Sequence, residues 1–155
     1  MNVTIKEIKN LDTLLKWREE VIGSVFGVTV PRELMDANRR YYAEHINDGT
    51  HIALEALAEE GPAGCGAICL TEELPSPDNP SGRCAYLMNI YVRDRYRNRG
   101  IGHSIVRRLV ETACELGCDK IYLETTDGAK SLYKSIGFKE LPGIMKYADV
   151  HNSES

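Results

Sequence analysis

Apolar residues alternate or recur at helical spacing along most of the chain, and this pattern predicts a regular order of strands and helices. The segment VTIKEI alternates and predicts a first strand. NLDTLLKWREEVIG has helical spacing, with Asn10 or Asp12 as its N-cap and Gly23 as its stop. After the loop SVFGVTV, a second helix is predicted over PRELMDANRRYYAEHIND, because Pro31 suits the first helical position.

The middle of the chain predicts a sheet. HIALEALAE and GCGAICLTE predict two strands joined by the turn EGPAG, and ELPSPDNPSG, with three prolines, predicts a loop. CAYLMNIYV, residues 84–92, is almost continuously apolar or β-prone, which is typical of a strand buried on both faces.

The last third predicts two more helices and further strands. Residues 100–117 form an amphipathic helix pattern, DKIYLETT a strand, GAKSLYKSIG a short helix, and FKELPGIMKYADV one or two final strands. The predicted order is βααβββαβαβ, an α/β (α+β) arrangement with a single sheet. We expect one domain over residues 1–148 and a flexible tail over residues 149–155.

Composition narrows the function classes. A net charge of −4 and a pI near 5.6 argue against a general polyanion binder, so any anion site must be local. No apolar run reaches the roughly 18–20 residues of a membrane span, and the first residues lack the layout of a signal peptide. The five cysteines are an odd number, which favours reduced thiols over disulfides. One of the two Cys-x-x-x-Cys pairs falls in an apolar strand pattern rather than in a loop, so no metal site is expected. We therefore expect a cytoplasmic protein without membrane or nucleic-acid partners.

The stretch YVRDRYRNRGIGHSIVRRLV, residues 91–110, departs from this acidic background. It places a buried strand, an arginine-rich loop and the start of a helix in succession. The first turn of a helix presents free N–H groups and a positive dipole, which suit a phosphate. Gly100 and Gly102 would let a diphosphate lie against the backbone, with Arg97 and Arg99 supplying charge.

Other phosphate motifs fit this stretch poorly. A P-loop requires a Gly-Lys pair that does not occur here, and the dinucleotide fingerprint requires glycine where the chain has Ile105. A nucleic-acid-binding site is disfavoured, because Asp94 interrupts the run of arginines and no extended basic surface is predicted elsewhere in the chain.

The segment Arg97-Asn98-Arg99-Gly100-Ile101-Gly102 resembles the [QR]-x-x-G-x-[GA] acetyl-CoA motif of the GNAT N-acetyltransferase superfamily. Downstream, LYKSIGF is similar to the LYxxxGF signature of the same family, and the element order also resembles it. The resemblance implies a single mixed, mostly antiparallel sheet flanked by helices. It further implies an enzyme that uses acetyl-CoA as co-substrate to acetylate an amine of a small molecule or peptide by direct attack in a ternary complex.

The resemblance also implies site residues. The backbone of Ile90 and Val92 would pair with pantetheine, and the Ile90 N–H would stabilise the oxyanion. Tyr133 corresponds to the general acid that protonates the departing thiolate. Thr126 stands where many relatives carry an asparagine that contacts the coenzyme. The pyrophosphate would be held by Arg97, Asn98, Arg99, Gly100, Ile101 and Gly102.

The general base and the acceptor stay open at this point. The polar choices on the strand are Tyr86 and Asn89, and neither is a carboxylate base. The amine proton would leave through ordered water to Glu124 or to solvent, or the enzyme would bind the small neutral fraction of the amine. The acidic net charge weakly favours a cationic amine. A homodimer is possible, and the alternative function is a non-catalytic acyl-CoA-binding regulatory module.

Three aromatic residues and two histidines of the first half also have open roles. Trp17, Tyr41 and Tyr42 are expected to face the core rather than to wall an acceptor pocket. Neither His45 nor His51 has a carboxylate or cysteine partner that the sequence reveals, so no cysteine relay is expected.

Overall fold

A five-stranded sheet with the order β1-β2-β3-β4-β5 organises the protein. We describe it from a computed structural model that covers residues 2–148 and 150. The strands are Thr4–Ile8 (β1), His51–Ala58 (β2), Gly61–Glu72 (β3), Arg83–Val92 (β4) and Lys120–Leu123 (β5). The first four strands are antiparallel and β5 is parallel to β4. The expected mixed, mostly antiparallel sheet is confirmed.

Four α-helices cover the sheet: Leu11–Phe26 (α1), Arg32–Asn47 (α2), Ile101–Glu115 (α3) and Lys130–Ile136 (α4). The Asn10 side chain caps α1 by accepting a hydrogen bond from the Thr13 N–H at 3.0 Å, as expected. The prediction that Gly23 ends this helix is wrong. The helix continues to Phe26 and ends at Gly27, which adopts the left-handed conformation and donates its N–H to the Gly23 carbonyl.

Two apolar cores lie on opposite faces of the sheet. The α3 stripe buries Ile101, Ile105 and Leu109 against one face, together with Leu87 of β4. The other face packs against α1 and α2, where Trp17 and Tyr42 are buried. Each strand therefore sends alternate side chains to different helices, and β4 is apolar towards both.

The final strands predicted over FKELPGIMKYADV are not formed within residues 138–148. Leu141, Ile144 and Met145 are exposed, and Gly143 has a left-handed φ of 91° directly after Pro142. A turn at this point interrupts the strand pattern, and β5 is the last strand of the sheet order. The predicted tail, residues 149–155, lies outside the described residues apart from Val150. Within the part of the chain that is described, no helix has the length and apolar character needed to cross a bilayer.

A one-residue bulge and an early end of pairing shape the middle of β4. Cys65 lies opposite Tyr91, whereas Ala67 lies opposite Met88, so β4 contains one extra residue in this interval. Asn89, within the bulge, has a left-handed φ of 59°. Pairing between β4 and β5 ends at Leu87 and Leu123, so the last residues of β4 have no strand partner on that side.

Gly64 allows the end of β4 to approach β3 closely, which gives a test of the fold. A Cβ at this position would lie 2.6 Å from the Tyr91 carbonyl oxygen, a backbone atom that cannot turn aside. We expect Gly64→Ala to lower the free energy of unfolding by about 1–3 kcal/mol. Gly128→Ala is the matched control, because its Cβ would meet nothing within 4 Å; it should change stability by less than about 0.5 kcal/mol. Urea unfolding of both variants measures the difference, and equal stabilities would contradict the packing.

Candidate active site

The loop between β4 and α3 is shaped to present backbone N–H groups. A short 3₁₀ turn, Asp94–Tyr96, follows β4, and α3 begins at Ile101 after Gly100 as its N-cap. Asn98 and Gly100 both adopt left-handed conformations, with φ values of 62° and 79°. Left-handed residues in such a loop turn successive N–H groups towards one concavity, and no side chain caps the helix. The arrangement can bind an anion.

Gly102 is not required by the packing of the protein itself. A Cβ there would lie 3.6 Å from Val92 Cγ2 and 3.7 Å from Leu132 Cδ2, both ordinary van der Waals distances. Its φ is not left-handed, because it lies within the first turn of α3. A glycine that neither conformation nor internal packing demands is consistent with close approach of a ligand. The contact with Leu132 also brings α4 beside the start of α3.

The arginines of the loop are already engaged with neighbouring groups. Arg97 donates from Nε to the Val92 carbonyl at 2.9 Å and pairs with Asp94 at 2.9 Å. The Arg99 guanidinium lies 5.9 Å from the centre of the Tyr96 ring. Both arginines are exposed and lie beside the α3 N-terminus, so their charges act where the backbone N–H groups converge.

Ile90 and Val92 turn backbone groups towards the open side of β4. The Arg93 N–H donates to the Ala63 carbonyl on β3 at 2.9 Å. Because neighbouring residues of a strand direct their backbone groups to opposite edges, Val92 and Ile90 direct theirs away from β3. The Val92 carbonyl accepts a hydrogen bond from Arg97. Ile90 lies beyond Leu87, where the pairing of β4 with β5 ends, and so faces the gap between these two strands. The edge of β4 at Ile90 can therefore bind an extended ligand.

Tyr133 lies in α4 and is buried, with its ring edge-on to Phe138 at a centroid distance of 5.8 Å. Burial raises the pKa of its hydroxyl, so the phenol stays protonated at neutral pH. Thr126 precedes the 3₁₀ turn Asp127–Ala129 and is exposed, and its carbonyl accepts from the Ala129 N–H.

A pocket of about 240 Å³ opens on the other face of the sheet, next to the β4 bulge. Both tyrosines that were expected to face the core take part in its wall, although Tyr42 is also buried. Trp17, by contrast, is a core residue whose indole N–H donates to the Glu55 carboxylate at 2.9 Å. The residues that line the pocket are Arg18, Asn38, Tyr41, Tyr42, His51, Cys69, Met88 and Asn89.

His51 has a cysteine neighbour that the sequence did not reveal. Its Nδ1 lies 2.8 Å from the Tyr41 hydroxyl and 3.5 Å from Cys69 Sγ, and His51 and Cys69 are direct partners in the β2–β3 ladder. Burial lowers the pKa of His51 to about 4 and raises the pKa of the Cys69 thiol. A neutral imidazole of low basicity beside a protonated thiol does not make a cysteine nucleophile, so the pair does not support a relay.

No carboxylate lines the pocket within the described residues. Glu124 accepts a hydrogen bond from the Tyr86 hydroxyl at 3.2 Å and lies at the end of β5. Burial, followed by the Glu124 charge, raises the pKa of Tyr86 to about 12.

Among the residues that can be described, no group of His, Cys, Asp and Glu side chains is placed to hold a metal ion.

Comparison with known proteins identifies the same family that the two sequence motifs resemble. The profile of the Acetyltransferase (GNAT) family matches residues 12–138. Thialysine N-epsilon-acetyltransferase of Sus scrofa is 32% identical over 121 residues, which cover 63% of this chain and 71% of that protein. Probable glucosamine 6-phosphate N-acetyltransferase 2 of Oryza sativa subsp. japonica is 39% identical over 59 residues, 38% of this chain and 36% of the relative.

Solved structures agree on the fold. A predicted acetyltransferase with acetyl-CoA from Clostridium acetobutylicum superposes with a TM-score of 0.85 at 21% identity, covering 96% of this chain and 97% of that chain. Since the family profile spans most of the residues and includes the loop, β4 and α4, the chain belongs to the Acetyltransferase (GNAT) family and is an N-acetyltransferase.

Proposed function

We propose that this protein transfers the acetyl group of acetyl-CoA directly to a primary amine within a ternary complex at the open edge of β4. One observation carries the proposal: the unpaired end of β4 leads straight into a loop that presents N–H groups at the start of α3. An extended thiol arm and a diphosphate would occupy these two features in succession. The names of two relatives specify thialysine and glucosamine 6-phosphate, which supports an amine as the acceptor.

The pyrophosphate is assigned to the loop residues. The backbone N–H groups of residues 98–102 supply hydrogen bonds and the α3 dipole favours the negative charge. Arg97 and Arg99 add charge from the exposed side of the loop, and Gly102 leaves room for the phosphate oxygens.

The pantetheine arm is assigned to the β4 edge. It would pair with the backbone of Ile90 and Val92 as an additional strand, although the Val92 carbonyl already accepts from Arg97. Thr126, which lies after β5 on the other side of the gap, can offer its hydroxyl to the arm. The thioester carbonyl then lies at the Ile90 N–H.

The chemistry follows from these positions. The neutral amine attacks the thioester carbonyl carbon, and the Ile90 N–H donates to the oxygen that becomes negative. When the C–S bond breaks, the Tyr133 hydroxyl donates its proton to the sulfur. The attacking nitrogen releases one proton to water and the tyrosinate takes one back from water, which leaves an amide, a free thiol and a neutral Tyr133. The raised pKa of Tyr133 keeps that proton available at neutral pH. The regulatory-module alternative is not favoured, because the named relatives are acetyltransferases.

We further propose a cytoplasmic protein with a single domain over residues 1–148. The five cysteines are free in the structure, which supports a reducing compartment. A homodimer remains a prediction, as does the lack of metal, nucleic-acid and membrane partners.

Substitutions of Gly102 test whether the diphosphate binds to the loop between β4 and α3. We expect Gly102→Glu to weaken acetyl-CoA binding at least about tenfold, because a long side chain with a negative charge would displace the diphosphate from the backbone N–H groups and repel it. Gly102→Ala should bind with little loss, because the [GA] position of the motif accepts a methyl group. Calorimetric titration of acetyl-CoA measures both.

Gly23→Ala is the matched control, since Gly23 is also helical and its Cβ would meet only the Val28 carbonyl oxygen at 3.6 Å. Both alanine variants should be at least as stable as the wild type, because alanine favours helix. If Gly102→Glu binds acetyl-CoA as tightly as Gly102→Ala and Gly23→Ala do, the diphosphate lies elsewhere.

Removal of the Tyr133 hydroxyl tests the general acid. Tyr133→Phe keeps the buried ring and should lower kcat about 100-fold or more, with acetyl-CoA affinity little changed. Free-thiol release with a panel of amines measures the rate. Tyr147→Phe is the control, because it removes the same hydroxyl group from a tyrosine that is 77% exposed. A Tyr133→Phe enzyme with wild-type kcat would mean that Tyr133 only packs the core.

A further inference from the structure

We propose that the acceptor is a small primary amine that also carries an anionic group, a carboxylate or a phosphate, and that Arg18 binds this group in the pocket beside Asn89. The inference rests on the proposed function, because it takes the pocket next to Ile90 as the acceptor site.

Arg18 is held by neutral amides. Its Nε donates to Asn38 Oδ1 at 3.1 Å and its Nη1 donates to Asn89 Oδ1 at 2.8 Å. Asn38 is itself oriented by a bond from Nδ2 to the Leu34 carbonyl at 2.8 Å. These bonds use two of the five N–H donors of the guanidinium and leave its charge uncancelled. The amides fix the direction of the guanidinium without neutralising it.

Several other arginines of the protein have carboxylate partners. Arg93 donates to both carboxylate oxygens of Glu20, at 2.8 and 2.9 Å, and so forms a complete ion pair. Arg39, Arg95 and Arg97 also have carboxylate neighbours within 4.0 Å. Arg18 is half-buried, yet within residues 2–148 and 150 no salt bridge includes it. A half-buried charge without a counterion is costly, which is a reason to expect one from a ligand.

The rest of the pocket adds no negative charge. Its other lining residues are neutral at pH 7, including His51, whose pKa burial lowers to about 4 with further lowering by His45 and Arg18. The pocket therefore has a net positive charge. A plain diamine would bring two further positive charges beside Arg18, whereas an amine with an anionic group brings the missing counterion.

Position and size limit the acceptor further. Asn89, which accepts from Arg18, directly precedes Ile90 in β4, so the anionic group would bind close to the point of acetyl transfer. The cavity of about 240 Å³ is smaller than the roughly 300–1,000 Å³ of typical ligand sites. These limits favour an acceptor of the size of an amino acid or an aminosugar phosphate.

The local charge of the pocket favours the opposite kind of acceptor from the net charge of the protein. The total charge of −4 favours a cationic amine only through long-range attraction, which salt screens over about 8 Å at physiological ionic strength. Arg18 acts at hydrogen-bond distance inside the pocket, where screening is weak. The local charge therefore determines the choice of acceptor.

Pairs of amines that differ only in the anionic group provide the test. We would measure acetyl-CoA-dependent thiol release with free amino acids against their α-carboxamides, lysine against cadaverine, and glucosamine 6-phosphate and phosphoethanolamine against glucosamine and ethanolamine. We expect the anionic member of at least one pair to have a kcat/KM about 10- to 100-fold higher. The pair that responds identifies carboxylate or phosphate.

Variants assign that preference to Arg18. Arg18→Gln should remove the 10- to 100-fold preference by lowering kcat/KM for the anionic acceptor, with little change for its uncharged counterpart, and Arg18→Lys should restore part of it. Arg39→Gln is the matched control, because it removes an exposed arginine charge from α2 next to Asn38 and should keep the preference.

Each outcome has a distinct meaning. A preference for cadaverine, or an Arg18→Gln enzyme that loses activity equally with both members of a pair, would overturn the inference while leaving the acetyltransferase intact. Absence of thiol release with every amine, together with absence of acetyl-CoA binding by calorimetry, would overturn the proposed function itself.

Discussion

The bulge at Asn89 is the constraint on which the rest of the site depends. Strict alternation along β4 would send Asn89 towards the α3 core, on the same face as Leu87. The extra residue instead leaves Met88 and Asn89 on the side of α1 and α2, and it returns Ile90 and Val92 to the α3 side. Asparagine tolerates the left-handed conformation that this requires better than most residues do. One backbone irregularity therefore exposes the Ile90 edge and aims the Asn89 amide at Arg18.

Local patterns were enough to predict the strand, the loop and the helix in which the phosphate site is proposed. The strand, the loop and α3 are consecutive in the chain, and the conformations of Asn98 and Gly100 are set by residues that favour left-handed φ. The cap at Asn10 and the buried stripe of α3 are equally local. In each of these elements the residues that determine the conformation are neighbours in the chain, so the order of elements from β1 to α4 was predictable.

The pocket that we propose as the acceptor site depends on strand registers that no local pattern specifies. An unbulged β2–β3 hairpin closed at Ala58 and Gly61 would place Ile68 opposite His51. The shift at Ala56 and Leu57 places Cys69 there instead. The contacts of Arg18 join α1 to α2 and to β4 across separations of 20 and 71 residues. The failed prediction of a final strand has the same origin, because a strand forms only where a partner edge is available.

The pocket also suggests how an acetyltransferase can act without a carboxylate base at the acceptor. An ammonium group that enters the half-buried pocket would lose hydration, which lowers the pKa of the amine. The anionic group of the proposed acceptor would raise that pKa, but pairing with Arg18 would cancel this effect. In the proposed binding mode the guanidinium therefore keeps the anionic group from stabilising the ammonium form beside Ile90. In this arrangement binding and deprotonation are linked through one charge, and the proton can leave to solvent before attack.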